Sequence, residues 1–379
     1  MFGGRILNNA CLHSEVQIQE RIRLQNFVGA NRLPLVFAVA SAVLFGMGTP
    51  FAKLLLGDLP PVALAGLLYL GALVGLSLYD IFRRITSDQQ EVSKSRLGRN
   101  DAPCLAGAIV AGGIVAPISL MIGLTMISGF SASLLLNLEG VATAIIAMML
   151  FKEHLGRKIV LVILCMTAAG VLLSWNPEED VFAATGPLLL IVAAVGWGLD
   201  NNFTRNICGK DPVQIAQIKG LVAGCTSIAL ALALGWNVRM SSDIIWALVL
   251  GSLSYGASLV LFVLALQGLG ASRTGAFFSL GPFVGAAVSV VLLDETLGWI
   301  MLPAAILMVG GVVAMLYERH SHVHQHEGMT HVHLHSHGDF SHDHCHPDPV
   351  REPHVHEHTH LAEDHYHPHW PDIHHRHAH

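Results

Sequence analysis

The histidines of this chain are concentrated at one end, where they alternate with other residues. Of 24 histidines, 22 lie between His320 and His379, and the stretch HVHLHSHGDFSHDHCH (331–346) has one at nearly every second position. Neutral imidazole is a ligand for Zn, Ni, Co and Cu, and a cysteine adds a softer ligand. We therefore expect this tail to bind a divalent transition metal. The candidate ligands are His331, His333, His335, His337, His342, His344, Cys345, His346, His354, His356, His358 and His360.

The composition of the tail also predicts its physical state. Gly, Pro and acidic residues separate the histidines, and such low-complexity sequence buries too little apolar surface to offset ordering entropy. The tail is therefore predicted to be disordered without a ligand. With neutral histidines, residues 320–379 carry a net charge of −7. Imidazoles titrate near pH ~6.5, so mild acidification would reverse this sign and a pH-responsive role stays open.

A carboxylate with a different chemistry lies inside strongly apolar sequence. Glu139 is near the middle of LLLNLEGVATAIIAMML (134–150). A charged side chain at the centre of a bilayer costs at least about 2.5 kcal/mol, so Glu139 should face the protein interior or water. We interpret it as the counter-ion of a cationic substrate or as a carrier of protons, the candidate coupling ion. The alternative is a buried ion pair with Lys53 or Lys219.

Other polar and aromatic residues fall within apolar runs. Asp200, in GWGLDNNFTR (196–205), and Lys219 lie at similar predicted depths on neighbouring helices, which favours a gating or folding ion pair. Lys53 is the third candidate for such a role. The candidate substrate contacts are Glu139, Asn137, Thr49, Trp197, Asp200, Asn201, Tyr255 and Phe283, with Phe45 as a further member of an aromatic wall.

The elements that carry these residues are predicted to be membrane-spanning helices. The chain is 53% hydrophobic and 13% charged, whereas a soluble protein carries about a quarter charged residues. A spanning helix needs about 20 mostly apolar residues. Ten such runs occur, at 33–56, 61–82, 103–125, 128–151, 158–175, 184–204, 212–236, 243–267, 271–293 and 298–317. The short fifth run and the tight joint after the third leave nine or eleven spans open.

The distribution of Lys and Arg predicts the orientation in the membrane. If the N-terminus is cytoplasmic, the inside segments hold 18 Lys and Arg residues and the outside loops hold only Arg239. The positive-inside rule therefore places both termini, and the histidine-rich tail, in the cytoplasm of a cell whose inner membrane holds the protein. Residues 1–32 lack the apolar core of a cleavable signal peptide.

Two pieces of the chain resemble two others, which indicates an internal repeat. FGMGTPFAK (45–53) aligns with WGLDNNFTR (197–205), and SASLLLNLEGVATAIIAMMLFKEHLG (131–156) aligns with RTGAFFSLGPFVGAAVSVVLLDETLG (273–298). Each repeat contains five predicted spans, an odd number, so the halves are inverted, as in secondary transporters. The predicted domains are a cytoplasmic segment 1–32, five-helix repeats at 33–176 and 183–317, and the tail 318–379.

Glycines and prolines fall at matching places in both repeats and predict helix breaks. They lie in the first and sixth spans and in the fourth and ninth, where exposed backbone could line a cavity. The alternative is close packing between helices. The residues are Gly46, Gly48, Pro50, Gly196, Gly198, Gly140, Gly281 and Pro282.

These repeats resemble the EamA-domain permeases of the drug/metabolite transporter superfamily over about residues 33–317. LALQGLGASRTGAFFSLGPFVGAAVSVVLLDETLGW (264–299) resembles the second-repeat signature, with Pro282 at its proline and Glu295 at its terminal glutamate. Glu153 matches that glutamate in the first repeat. The position of Pro282 is occupied there by Gly140, which is preceded by Glu139. The resemblance implies ten helices in two bundles, alternating access and a small polar metabolite as cargo. We assign the terminal acids to loop anchoring.

Three hypotheses about function follow. The preferred one is a secondary transporter of a small polar or cationic metabolite, with a regulatory or buffering tail. The second is a divalent transition-metal transporter, and the third is a membrane metal or pH sensor that transports nothing. No motif suggests an enzyme, a required cofactor or nucleic-acid binding. The expected partners are the lipid bilayer and a small solute, and a homodimer stays open.

Overall fold

The computed structural model of this protein describes most of the predicted helical region and parts of the tail. Description covers residues 32–86, 97–151, 157–174, 184–207, 210–236, 241–269, 271–296, 298–299, 301–316, 320–325, 329–335, 354–360 and 364–369. The chain divides into two compact units, one with the helices and one with the tail strands.

The helices are, in chain order, α1 (Arg32–Leu55), α2 (Pro61–Thr86), a 3-10 turn (Arg99–Asp101), α3 (Ala102–Ala108), a first π-helix (Ile109–Val115), α4 (Ala116–Leu124), α5 (Gly129–Leu135), α6 (Leu138–Phe151), α7 (Arg157–Ser174), α8 (Thr185–Arg205), α9 (Pro212–Ala233), α10 (Ser242–Gly251), a second π-helix (Ser252–Ala257), α11 (Ser258–Leu269), α12 (Ala271–Phe278), α13 (Gly281–Leu292) and α14 (Met301–Leu316). The strands are β1 (His320–Gln325), β2 (Met329–His335), β3 (His354–His360) and β4 (Asp364–His369).

The helices confirm a polytopic membrane protein. Each of the ten apolar runs coincides with a helical segment. Within the described residues, six helical stretches, some of them made of consecutive elements, are long and apolar enough to span a membrane: Leu33–Leu55, Pro61–Ile81, Arg99–Leu124, Gly129–Leu150, Pro212–Ala233 and Ser242–Leu266. Large apolar side chains such as Leu78, Ile245 and Val291 are exposed on the helical unit, as a lipid-facing surface requires. The total of ten spans stays a prediction.

The packing of the helices repeats between the two halves. Helix α2 packs on α9, and α7 packs on α14, so each of these pairs joins equivalent helices. Helix α1 packs on α11 and α13, and its counterpart α8 packs on α4 and α6. The buried core between the halves includes Leu64, Leu68, Leu120, Leu135 and Leu190. Exchanging the repeats therefore reproduces the same set of helix pairs.

The predicted helix breaks occur in only two of the four spans. The fourth run is interrupted between α5 and α6, at residues 136–137, and the ninth between α12 and α13, at 279–280. The breaks predicted in the first and sixth spans are wrong, because α1 and α8 are continuous helices. Their glycines allow close approach instead. A Cβ at Gly46 would lie 2.1 Å from the Gly281 carbonyl oxygen, and one at Gly198 would lie 2.9 Å from the Ala142 Cβ.

Two π-helices mark equivalent places in the third and eighth runs. The first, Ile109–Val115, contains Gly112 and Gly113, and the second, Ser252–Ala257, contains Tyr255. A π-helix widens the backbone ladder and is frequent at functional sites. No residue type in either run predicted these irregularities.

The tail contains two antiparallel ribbons, which differs from the disorder predicted for it. Strand β1 pairs with β4, and β2 pairs with β3, so the second ribbon is nested within the first along the chain. The residues between the histidines include Val323, Val332, Val355 and Thr359, types that favour extended backbone.

Candidate substrate site and ion pairs

Glu139 lies in the first turn of α6, just after the break in the fourth run, and faces α8. Asn201 donates a hydrogen bond from Nδ2 to Glu139 Oε1 at 2.8 Å and a second to Thr143 Oγ1 at 3.2 Å. Thr143 donates from Oγ1 to the Glu139 carbonyl oxygen at 2.8 Å. Close packing of Gly198 against Ala142 brings α8 near enough for these contacts. The carboxylate therefore sits in a small group of neutral hydrogen-bonding side chains.

The two lysines considered as partners for Glu139 pair with other acids. Lys219 contacts Asp200, and Lys53 lies 3.9 Å from Glu295 Oε1. Among the described residues, no lysine or arginine lies within ion-pair distance of Glu139, and no group donates to its Oε2. Glu139 is also only partly buried. One carboxylate oxygen is thus available to a further ligand.

Asp200 and Lys219 form a buried ion pair between α8 and α9. The Lys219 Nζ lies 2.7 Å from Asp200 Oδ1 and 2.5 Å from Oδ2, and Thr204 donates to Oδ1 at 2.9 Å. Gly112 in the first π-helix makes room for this carboxylate, because a Cβ there would lie 2.1 Å from Asp200 Oδ2. The structure therefore places the two residues as the sequence suggested, while their role in gating or folding stays a proposal.

Aromatic side chains from five helical segments form one group of contacts, and three of its rings contact Phe45 directly. Its ring centroid lies 5.6 Å from that of Trp197, 6.2 Å from Tyr255 and 5.0 Å from Phe278. Tyr255 in turn lies 5.3 Å from Tyr69. These ring contacts fall within the range of favourable aromatic pairs.

The first π-helix holds two of these rings in place. Tyr69 donates from its hydroxyl to the Gly112 carbonyl oxygen at 2.6 Å, and Trp197 donates from Nε1 to the same oxygen at 3.0 Å. Trp197 and Asn201 are four residues apart on α8, so they are neighbours along one face of that helix. The aromatic group therefore adjoins the hydrogen-bonding group of Glu139.

Three predicted contact residues are not in this arrangement. Phe283 packs against Val141 and Met166 in a separate hydrophobic cluster, and Phe278 contacts Phe45 instead. Asn137 is buried, with Nδ2 3.9 Å from Met308 Sδ and Oδ1 without a hydrogen-bond partner. Thr49 is also buried.

Lys53 and Glu295 join the end of α1 to the start of α5. Glu295 accepts hydrogen bonds from the backbone N–H groups of Gly129 at 2.6 Å and Phe130 at 2.8 Å. Lys53 donates to the carbonyl oxygens of Leu124, at 3.4 Å, and Ile127. A carboxylate at a helix N-terminus satisfies free N–H groups and complements the helix dipole. Glu295 thus anchors a loop, and Glu153 lies outside the described residues.

The predicted metal ligands fall partly on the tail strands. His331, His333 and His335 belong to β2, and His354, His356, His358 and His360 to β3. The others, namely His337, His342, His344, Cys345 and His346, lie outside the described residues. Among the side chains that the structure describes, all in the helical unit, no group of three or more His, Cys, Asp or Glu could hold a metal ion.

Four residues that sequence reasoning missed belong to these groups. Thr143 and Tyr69 are ordinary residues of apolar helices, Gly112 was one glycine among 37, and Phe278 was one phenylalanine among 15. Their roles depend on which way each helix faces.

Comparison with known proteins identifies the family of the helical unit. A model of the EamA-like transporter family matches residues 32–175 and again residues 184–317. This chain belongs to the EamA-like transporter family. The two matches correspond to the two repeats, and the protein is accordingly a multi-pass membrane transporter. As an EamA-like protein it falls in the drug/metabolite transporter superfamily that its sequence resembled.

Relatives of this EamA-like protein carry little functional detail. It is 27% identical over 294 residues to an uncharacterized transporter of Methanothermobacter thermautotrophicus, covering 74% of this chain and 84% of that protein. It is 28% identical over 178 residues to an uncharacterized protein of Pseudomonas aeruginosa, covering 47% of this chain and 61% of that protein. One crystal structure matches with a TM-score of 0.56 at 15% identity, covering 75% of this chain and 97% of that one. This likeness shows the fold alone.

Proposed function

We propose that this EamA-like protein is a secondary transporter of a small organic cation or zwitterion, and that Glu139 binds the positive group of the substrate. The observation that carries the proposal is the state of Glu139 within its span. One carboxylate oxygen is held by Asn201, and no described group donates to the other. An intramembrane carboxylate that has no cationic partner among the described residues is suited to a cation from outside the protein.

The aromatic group supports a cationic substrate. Trp197 and Phe45 stack edge to face next to the Asn201 turn of α8. A cation over an aromatic face gains about 0.5–2 kcal/mol, and more when it is desolvated. Thr143 and Asn201 add hydrogen-bonding groups that would orient polar substituents on the substrate. An aromatic wall beside one carboxylate thus matches an amine better than an anion.

The transport step that we propose is alternating access between the repeats. The two interrupted runs, α5–α6 and α12–α13, lie at equivalent places and supply flexible points near the site. Glu139 would carry either the substrate or a proton, so that the two occupy it in turn and their gradients are coupled. The proposed orientation in the cell's inner membrane has both termini in the cytoplasm.

The test combines ligand finding with flux measurement. The purified full-length protein is first screened by thermal shift against amines, amino acids and other small metabolites. A chelator is present so that the tail does not bind trace metal. Substrates that stabilise the protein are then tested for counterflow in proteoliposomes, with Zn²⁺ and Ni²⁺ included as cargo candidates.

The decisive variant is Glu139→Gln, which keeps the size and the hydrogen bond but removes the charge. We expect counterflow of the cationic substrate to fall at least about tenfold, the effect of losing about 1.4 kcal/mol of binding energy. The matched control is Asp58→Asn, because Asp58 is an exposed carboxylate beyond the end of α1. Unchanged flux in the Glu139 variant would contradict the role of this residue. Metal flux without organic flux would replace the proposed cargo.

A further inference from the structure

The interface between α5 and α13 joins the two repeats near the end of the helical unit that holds Lys53 and Glu295. The residues that face each other across it are small. A Cβ at Gly129 in α5 would lie 3.2 Å from the Ser289 Cβ, and one at Gly285 in α13 would lie 3.1 Å from the Ser133 Cβ. Because a glycine stands on one side of each contact, the two helices can approach closely, and they pack against each other.

Two buried hydroxyl groups lie in this interface. Among the described residues, neither Ser133 Oγ nor Ser289 Oγ has a hydrogen-bond partner, and both residues are fully buried. A buried polar group that forms no hydrogen bond lowers the stability of the state that buries it. Separation of α5 from α13 would hydrate both hydroxyls. The packed interface therefore carries a cost that the separated one does not.

Two charged side chains hold the same interface together at its end. Glu295, three residues beyond α13, accepts hydrogen bonds from the backbone N–H groups of Gly129 and Phe130, the first two residues of α5. Lys53 in α1 lies 3.9 Å from Glu295 and donates to the Ile127 carbonyl oxygen, in the turn before α5. These contacts tie α1 and α13 to the start of α5.

The other halves of the same two runs pack on different partners. Helix α6, which continues the run of α5, packs on α7 and α8, whereas α12, which precedes α13, packs on α1 and α11. The breaks at residues 136–137 and 279–280 separate the two kinds of packing. Glu139, in the first turn of α6, lies just past the end of the α5–α13 contact. The two runs are thus joined on one side of the breaks and belong to different groups of helices on the other.

We propose that the α5–α13 interface is one of the two gates of the transporter, and that Glu295 is the latch that keeps it closed. The structure shows this gate closed. It opens when Glu295 releases the N-terminus of α5, so that α5 and α13 separate and the two serine hydroxyls become hydrated. The inference rests on the proposed alternating access and names the contact that must break at one end. The predicted orientation places this gate on the non-cytoplasmic side.

The first test measures opening without measuring transport. Ser289→Cys introduces a thiol into the gate of the full-length protein in detergent micelles. Its alkylation by a small maleimide is followed by peptide mass spectrometry, which distinguishes it from the six native cysteines. Adding Glu295→Gln should raise the alkylation rate at least about tenfold, because the amide has one acceptor oxygen where the carboxylate has two, and it carries no charge.

The matched control for the latch is Asp294→Asn in the same Ser289→Cys chain. Asp294 is the adjacent carboxylate and is exposed, and its φ of 51° suits asparagine as well as aspartate. We expect this control to leave the alkylation rate unchanged. Equal rates with Glu295→Gln and with Asp294→Asn would overturn the proposal that Glu295 is the latch.

The second test locks the gate with a disulfide. In the double variant G129C/S289C the two Cβ atoms lie 3.2 Å apart, a few tenths of an ångström below the usual separation of about 3.5–4.5 Å. The matched control is G48C/S254C, whose Cβ atoms lie 3.1 Å apart between α1 and the second π-helix, elements that pack together away from the gate.

Oxidation of the gate pair should stop counterflow in proteoliposomes, and reduction should restore it, whereas the oxidised control pair should retain its flux. Continued flux with the gate pair fully oxidised would overturn the proposal, because the interface would then not need to open. A wild-type protein without flux would contradict the proposed function instead. The alkylation comparison, which needs no flux, would in that case decide by itself whether Glu295 holds the interface closed.

Discussion

At the scale of single residues, the helical unit distributes its charges in two different ways. Asp200 and Lys219 neutralise each other between α8 and α9, and Lys53 is used by Glu295 and nearby carbonyl oxygens. Among the described residues, the Glu139 carboxylate has a neutral partner, Asn201. Asp200 and Glu295 therefore complete local structure, and Glu139 has a carboxylate oxygen without a described donor. This contrast is the physical basis for assigning the substrate to Glu139.

The buried ion pair predicts an asymmetric response to mutation. Asp200→Asn or Lys219→Met alone should destabilise the protein by about 3–5 kcal/mol, because each leaves an uncompensated buried charge. The double variant D200N/K219M should be much closer to wild type. Thermal unfolding midpoints of the four proteins in detergent would measure this coupling. Additive losses in the double variant would show that the pair does not act as a unit.

At the scale of elements, close approach of helices replaces the breaks expected at several glycines. Gly46 in α1 contacts the backbone of Gly281 in α13, and Gly198 in α8 contacts α6 at the equivalent interface. Glycine allows helix backbones to approach within membranes because it has no side chain. The interrupted runs and the π-helices, by contrast, carry the backbone irregularity. Close contacts and backbone irregularities thus lie at different places in the helical unit.

Substitution at the close contact tests this division. Gly46→Ala should lower the thermal midpoint clearly and reduce flux, because its Cβ would lie 2.1 Å from a backbone oxygen that cannot easily move. Gly310→Ala in α14 is the matched control, since a Cβ there meets nothing within 4 Å. We expect that control to be neutral or slightly stabilising, because alanine favours helix more than glycine does. Equal effects of the two substitutions would contradict the packing argument.

At the scale of the whole molecule, the repeats account for both the fold and its expected orientation. The helix pairs that pack together in one half have equivalent pairs in the other, and the family model matches each half once. The prediction of five spans in each half implies that the halves are inverted, and inverted repeats are typical of secondary transporters. The excess of Lys and Arg on one side predicts which side faces the cytoplasm.

The orientation can be tested with reporters fused to the protein. A phosphatase that is active only outside the cytoplasm should be inactive after His379 and active in the loop between α9 and α10. A green fluorescent protein fused after His379 should be fluorescent. The opposite pattern would show that the distribution of Lys and Arg does not set the topology here. A loop between α8 and α9 gives an internal control, because it is expected to be cytoplasmic.

The amino-acid sequence by itself determined the membrane class, the two repeats, the family and the presence of one carboxylate deep in an apolar run. These properties are local, because hydropathy, charge and alignment are read along the chain. The sequence also placed Asp200 and Lys219 at similar depth, since depth follows from the distance to the helix end. The same local signals failed at Gly46 and Gly198, where a glycine suits a break and a close contact equally well.

Only the tertiary structure decided which side chains meet. Asn201 and Thr143 reach Glu139, and Phe278 rather than Phe283 reaches Phe45, because each helix has a particular rotation about its axis. The register of the tail ribbons is likewise a non-local property, and it pairs histidines separated by at least 18 residues of chain. Composition predicted that the tail binds metal, and this stays a prediction. The physical reason is that contacts between segments depend on packing across the fold, which residue spacing alone does not encode.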